Sequence, residues 1–358
     1  MIVRARAGVG RRCRTGRVLA AMVLVVCGAT AVGACSSSDE SSTTTTAAHA
    51  ATSSTTTTAP TTSAPPGGTG ALLGSVCAGT ATVTDVATVE SPEITEASGL
   101  AASRREPGDW WIHNDSGDSA RVFVLGSDGQ VRSTVRLAGA TARDWEDIDV
   151  GPPTSPHGGA TVYVADIGDN AMVKQDTANA RSSVQVYRFQ EPELTGAHLT
   201  VRPDQLTFTY PDGPHDAETL LVDPRDGSLY VVTKEWGLRG SSGVYRAPAG
   251  LPAGSTTVLE HVGDVPLDAG TLVTGGDISP DGSVIALRSY ADVRLYRRDP
   301  GTSVADALGG TPCHGPGPVE RQGEALGFSV DGGSYLTVSE GDRPVLHRTA
   351  PPVASQDG

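Results

Sequence analysis

The chain has 358 residues, a formal net charge of -14, 44 Gly, 24 Pro and only 16 Phe, Trp and Tyr together. The acidic balance excludes a phosphate-backbone partner, which requires a basic face, so no nucleic-acid ligand is expected. Charged residues at 19% and long Gly-punctuated apolar runs exclude a wholly disordered chain and a coiled coil, and the length admits one large all-β domain.

Residues 1–34 carry Arg4, Arg6, Arg11, Arg12, Arg14 and Arg17 and no acid, with an apolar stretch from Val18 to Val32. This is the order of an export signal peptide, and its core is too short for a committed membrane span. The tetrad Val32-Gly33-Ala34-Cys35 resembles a bacterial lipobox. That resemblance implies cleavage before Cys35, lipidation of Cys35, and a protein anchored at the outer face of the cytoplasmic membrane or in the envelope. An ordinary secreted protein is the alternative. Residues 35–70 read as a disordered tether, since 20 of the 35 residues after Cys35 are Ser or Thr. Loss of the six leader arginines leaves 21 basic residues against 41 acidic ones, a net charge of -20. The folded domain is expected over 71–358. Cys13 and Cys27 leave with the signal, so Cys77 and Cys313 form an even pair in an oxidising compartment and read as one disulfide.

The segment from Asp216, Asp-Ala-Glu-Thr-Leu-Leu-Val-Asp-Pro-Arg-Asp-Gly-Ser-Leu-Tyr-Val-Val, and the segment from Gln322, Gln-Gly-Glu-Ala-Leu-Gly-Phe-Ser-Val-Asp-Gly-Gly-Ser-Tyr-Leu-Thr-Val, are copies of one unit. Further copies start near Glu96, Asp144 and Gly276. Each unit holds short apolar alternations separated by tight-turn signals, the pattern of antiparallel strands. Strand-like stretches at Val131–Leu137, Gln205–Tyr210 and Thr256–Val262 close three units, and Ser303–Leu308 is the weak closing strand of a fourth. Radial repetition of four-stranded units predicts a β-propeller with five blades, six being the alternative and a β-sandwich pair a weaker one. The last unit lacks a fourth strand. The orphan stretch Thr80–Val89 can supply it, and this ring closure brings Cys77 towards Cys313.

The start of the first strand reads acid-x-acid in two copies, Asp144-x-Glu146 and Asp216-x-Glu218, with the relatives Glu96-x-Ser98 and Gln322-x-Glu324 and the shifted Thr274 and Asp277. Residues two apart share a strand face, so these acids should converge at one channel mouth. The ends of the second strands are also polar, at His113-Asn114-Asp115, Asp166, Asp169-Asn170, Lys234-Glu235, Arg288 with Tyr290, and Ser339-Glu340. Crowded carboxylates take up protons or a cation, and an oxygen-only set suits calcium better than zinc. The metal candidates are Asp144, Glu146, Asp166, Asp216, Glu218 and Glu324. Ligand-binding candidates are Asp115, Arg143, Lys234, Arg288 and Arg321. His113 and His215 are the candidates for proton transfer. The competing reading makes the acids strand caps paired with Arg143, Lys234, Arg288 and Arg321. Asp-Gly pairs at Asp128, Asp226, Asp281 and Asp331 read as hairpin turns, Trp110-Trp111 as inter-blade packing, and Trp145 as either core or mouth.

At Trp145-Glu-Asp-Ile148, Ala217-Glu-Thr-Leu220, Ser279-Pro-Asp-Gly282 and Glu324-Ala-Leu326 the chain resembles, over residues 77–350, exported bacterial propellers of the phytase-like and gluconolactonase-like groups. That resemblance implies calcium at the channel mouth and hydrolysis of phosphoesters or lactones. Motifs for a nucleophile elbow, a phosphate-cradling loop and a zinc-protease helix are missing, and no nucleotide, flavin or haem is expected. Three functions compete: a calcium-supported binding propeller for a small or polymeric ligand, a metal-dependent hydrolase, and a scaffold for another envelope protein. A monomer is expected.

Overall fold

The computed structural model describes residues 68–318 and 320–353; the leader, Cys35 and the greater part of the tether lie outside them. In chain order, α1 (Thr69–Cys77) and β1 (Thr82–Thr88) precede the first blade, which is β2 (Ala97–Ala102), β3 (Trp110–Asn114), β4 (Arg121–Leu125) and β5 (Val131–Leu137). The second blade holds β6 (Trp145–Gly151), β7 (Thr161–Asp166), the short α2 (Asn170–Val173), β8 (Val184–Gln190) and β10 (Asp204–Thr209), while β9 (His198–Val201), between the last two in sequence, joins the first blade's sheet. Then come β11 (Ala217–Val222), β12 (Leu229–Thr233), β13 (Ser241–Ala247), β14 (Thr256–Val258) and β15 (Glu260–Pro266). The fourth blade is β16 (Val273–Ile278), β17 (Val284–Ser289), β18 (Val293–Arg297), α3 (Val304–Leu308) and β19 (Cys313–Gly315), and the fifth begins with β20 (Gly323–Phe328), β21 (Tyr335–Ser339) and β22 (Val345–Ala350).

These strands make five antiparallel blades, a five-bladed β-propeller. The innermost strands β2, β6, β11, β16 and β20 touch one another around a closed ring. Their sequences, Ala-Ser-Gly-Leu-Ala-Ala in β2 for example, have little intrinsic β preference. Small residues are needed there because neighbouring innermost strands approach closely. A Cβ on Gly327 would collide with the carbonyl of Leu100, and one on Gly275 would meet the carbonyl of Glu324.

The core is five slabs, one between each pair of adjacent blades. Consecutive strand residues face opposite sides, and Trp110 and Trp111 show it: Trp110 packs in the slab between blades five and one, Trp111 in the slab between blades one and two. Trp145 is a core residue, 1% exposed, with its indole N–H donated to the Thr141 carbonyl at 2.9 Å.

Ring closure follows the sequence expectation. β1 pairs antiparallel with β22, completing the fifth blade, and Cys77 is bonded to Cys313. The Asp-Gly pairs all form turns: Gly129, Gly227, Gly282 and Gly332 have φ of 79°, 76°, 71° and 67°. In each, the Asp side chain accepts an N–H two residues on.

Three expectations are corrected. Ser303–Leu308 is not a strand: Ser303 caps α3 by accepting the Asp306 N–H at 3.0 Å, a Ser-x-x-acid start signal, and the fourth strand of that blade is β19. Thr256–Val262 is divided, for β14 runs parallel to β10 on the second blade while β15 closes the third. α1 begins at Thr69, inside the stretch read as tether, and buries Leu72, Leu73 and Val76 between blades four and five. In four of the five blades the segment before the fourth strand also covers a neighbour's rim: β9 pairs with β5 and β14 with β10, while α3 packs on β15 and α1 on β19. Among the described residues no helix is long and apolar enough to cross a membrane.

Candidate functional site

Each innermost strand has a register irregularity at the same place, which singles out Glu146, Glu218, Thr274 and Glu324 in four blades and the Ser98-Gly99 pair in the fifth. A bulge bends the strand and re-aims a side chain. Glu146, Glu218 and Glu324 therefore turn into the mouth of the channel, whereas Ser98 and Thr274 donate to the next blade's backbone, at Glu146 O (2.6 Å) and Gly323 O (2.9 Å). Thr274 is in register with the acids, not shifted. The following aspartates do the tying between blades. Asp147 accepts the N–H of Leu220 at 2.9 Å, Asp149 that of Val222 at 2.7 Å, and Asp277 that of Phe328 at 2.7 Å. On β6 the acid that faces the mouth, Glu146, and the acids that tie blades together, Asp147 and Asp149, are thus different residues of one strand.

The mouth is a cavity of about 200 Å³ fed by every blade: Asp115 from the first; Asp144, Glu146 and Asn170 from the second; Asp216, Glu218, Lys234 and Trp236 from the third; Tyr290 from the fourth; Gln322, Glu324 and Glu340 from the fifth. Larger grooves of about 470 and 500 Å³ lie by the hairpin turns of the other face, around Arg246 and around Trp110. Among the described residues the carboxylates that line them, such as Asp223, Asp226 and Glu260, do not form a close group of three as Asp115, Asp144 and Glu146 do.

Two groups of side chains share the mouth. In the first, Asp115, Asp144 and Glu146 bring one oxygen each within 4.8 Å of the others. Asp144 is oriented by the side-chain amide of Asn170 at 2.9 Å. Both Asp144 and Glu146 press on Gly168, where any Cβ would collide with their carboxylates. Burial first, then the facing carboxylates, raises Asp115 to about 7 and lifts Asp144 and, further, Glu146. Asp115 Oδ1 is buried without a hydrogen-bond partner.

In the second group Lys234 Nζ is ion-paired with Glu218, donates to the Tyr290 hydroxyl at 2.9 Å, and lies 5.2 and 5.0 Å from the ring centres of Trp236 and Tyr290. Burial opposes the ammonium, but the Glu218 carboxylate outweighs it and lifts Lys234 above its ordinary range. Glu218 itself is raised to about 8 by burial, with Asp216 and Asp115 adding to it against Lys234. Glu324 is raised to about 9 by burial, Glu218 and Glu340.

Of the remaining sequence candidates Asp216 lines the mouth and the others are placed elsewhere. Asp166 is fully buried below the mouth, paired with Arg181 at 2.7 Å. Arg181 also donates to the Gly168 carbonyl at 2.7 Å and so fixes the loop that carries Gly168. Each oxygen of Asp216 accepts one hydrogen bond, from the Asp169 N–H and from the Trp236 indole N–H, both at 2.8 Å. Arg288 is buried between blades four and five on the carbonyls of Ala325 and Val338 and on Glu320. Arg143 and Arg321 are exposed and do not line the cavity. His113 is buried in blade one, edge-on to Trp145, donating Nδ1–H to Asn114 O at 2.8 Å; burial drives it to about 4, so it is neutral packing. His215 lies beside the mouth in a separate cavity of about 160 Å³.

Sequence reasoning missed Gly168, Arg181 and Trp236. The Asp166-Ile-Gly-Asp-Asn170 turn composition signals the first; nothing local signals Arg181, whose contacts reach back 13 and 15 residues.

No protein-family model matches the chain, and no curated protein matches it. Among solved structures it is similar to the soluble aldose sugar dehydrogenase from Escherichia coli in its apo form, at 11% identity and a TM-score of 0.45, over 76% of this chain and 100% of that one. A likeness this remote carries no chemistry across. The propeller fold rests on the blades themselves.

Proposed function

We propose that this chain is an exported, lipid-anchored propeller whose mouth binds a hard divalent cation of calcium type and, through it, a small or polymeric ligand. The observation that carries this reading is the convergence of one oxygen each from Asp115, Asp144 and Glu146 within 4.8 Å, the last two packed so closely on Gly168 that no Cβ fits there. Calcium takes six to eight oxygen ligands, so three carboxylates would leave positions for water and ligand oxygens. The bound ion would neutralise carboxylates that otherwise repel. The leader, Cys35 and the Ser/Thr-rich tether support delivery to the envelope.

The phosphoester-hydrolase alternative has less support. Arg143, Arg288 and Arg321 stand outside the cavity, and a phosphate dianion would meet seven acids and only Lys234, already paired with Glu218. A lactone hydrolase and a metal-free scaffold are separated by experiment. Calcium titrated into the chelator-treated protein should raise the melting temperature in step with free-ion concentration, and Gly168→Ala should abolish the rise. A melting curve indifferent to calcium would leave the scaffold reading standing.

A further inference from the structure

The fourth strand of every blade but the fifth has its outer edge covered. β9 lies on β5, β14 on β10, α3 on β15 and α1 on β19. Each cover comes from the segment that precedes the next blade's fourth strand: 191–203, 248–259, 298–312 and α1 itself. The segment so placed for blade five is 126–130, between β4 and β5, and it is a tight turn with no strand or helix of its own. Its Gly129 carbonyl accepts the Glu90 N–H at 3.0 Å, and a Cβ on Gly129 would collide with the Thr88 carbonyl. The turn therefore closes the Thr88 end of β1 and leaves the rest open. Among the described residues β1 pairs with β22 alone, and it is the one fourth strand with no buried residue.

The free stretch is Thr82–Asp85, up to the bulge at Val86. It is long enough for one more strand, since β9 meets β5 over four residue pairs and β14 meets β10 over three. An open edge presents unpaired N–H and C=O groups, which proteins blunt with lysine or proline; β1, Thr-Val-Thr-Asp-Val-Ala-Thr, has neither. Val86, 39% exposed, lines the groove of about 500 Å³ together with Trp110, Val330 and Leu336. Side chains on one face of an added strand thus have an apolar place to go. Charge selects the occupant. The Asp85 side chain is 78% exposed, and Asp109 and Asp331 line the groove against Arg348. A second copy of a chain carrying -14 would set like charges edge to edge, whereas a basic segment is attracted. We propose that blade five takes an extended, basic segment of another protein as a fifth strand on β1. The inference rests on blade five and requires neither a cation at the mouth nor a lipid anchor.

The full chain and a fluorescent peptide, Lys-Val-Thr-Val-Thr-Val-Lys, test it in excess chelator. Peptide anisotropy should rise to saturation at low salt and fall back as salt screens the charges. Hydrogen exchange should slow over 82–85 when the peptide is bound and stay unchanged around the mouth. Alternate amides of a strand face opposite neighbours, so two peptides N-methylated at every second amide, one in each frame, should differ. One frame should bind at least about tenfold more weakly, because its donors to β1 are gone, and the other should bind as the parent does. Asp85→Lys, and a peptide with glutamate in place of lysine, should each weaken binding about tenfold. A peptide that does not bind, two N-methylated frames that bind alike, or slowed exchange elsewhere than 82–85 would overturn the proposal. So would amides of 82–85 already protected in the free chain: in a dimer they would assign the edge to a second copy, in a monomer to a segment of this chain outside the described residues, and sedimentation separates the two.

Discussion

Asp147 accepts the backbone N–H of Leu220 across the boundary between blades two and three at 2.9 Å, while Glu146, one residue earlier, is turned by the bulge into the mouth. Adjacent acids on one strand thereby serve different purposes, and substitution should separate them. Asp147→Ala should destabilise the domain by about 1 to 3 kcal/mol, with or without calcium, because a buried donor loses its acceptor. Glu146→Gln should leave the chelated protein as stable or more stable, since repulsion falls, and should remove most of the calcium-dependent rise. Thermal melting of both variants in chelator and in calcium checks the split.

The raised carboxyls of the mouth set the sign of a pH effect. Burial and the facing carboxylates push Asp115 up to about 7 and Glu324 up to about 9 in the fold, against ordinary values of about 4. The folded state then holds protons that the unfolded state releases, so the mouth's contribution to stability is full below about pH 4 and is lost as pH rises towards 9. Above about pH 5, where the ordinary and lowered carboxylates are already ionised, chelated protein should melt at progressively lower temperature as pH rises. Calcium should flatten the mouth's share of the slope and release protons on binding, which calorimetry in buffers of different ionisation heat measures.

Lys234 and Glu218 form a buried pair, 3% and 9% exposed at the side chain. Glu218→Gln and Lys234→Met should each cost about 3 kcal/mol, because the partner charge is left buried and unpaired. The double variant should cost less than the sum. A double-mutant cycle by denaturant unfolding checks this, and additive losses would show the two charges to be independent.

A chain starting at Glu90 lacks α1, β1 and Cys77. It should unfold at much lower temperature and aggregate, since β22 becomes an open edge and the slab between blades four and five loses Leu72, Leu73 and Val76. Cys77→Ser alone should cost about 2 to 4 kcal/mol, separating the bond from the strand. Equal cooperative melting of chains starting at Gly68 and Glu90 would contradict ring closure.

Cys35→Ala should release the protein from the membrane fraction, the lipid being the attachment expected to hold it. Processing must be followed by mass, and a wild-type N-terminus without acyl chains would refute the anchoring.

Repetition pointed to a propeller of five blades and left six open; the fourth strand of the fourth blade, β19, was decided by the structure. Five copies of one strand pattern, an orphan strand before the first and a missing one after the last already specify a closed ring, because each blade needs four strands and a neighbour on either side. The Asp-Gly turns and the disulfide were legible for the same reason: they depend on local backbone geometry or on counting. The mouth was half legible. The acid column was visible, but a plain two-residue alternation could not divide Glu146 from Asp147, since the bulge that separates them arises from pairing with β7. Whether a charged residue reaches the mouth was likewise decided in three dimensions. Lys234 finds Glu218 there, while Arg288, equally polar in the sequence, is drawn between blades by the carbonyls of Ala325 and Val338. α3 and α1 escaped the repeat pattern because short capping helices at a rim owe their stability to the blades they cover rather than to periodicity of their own.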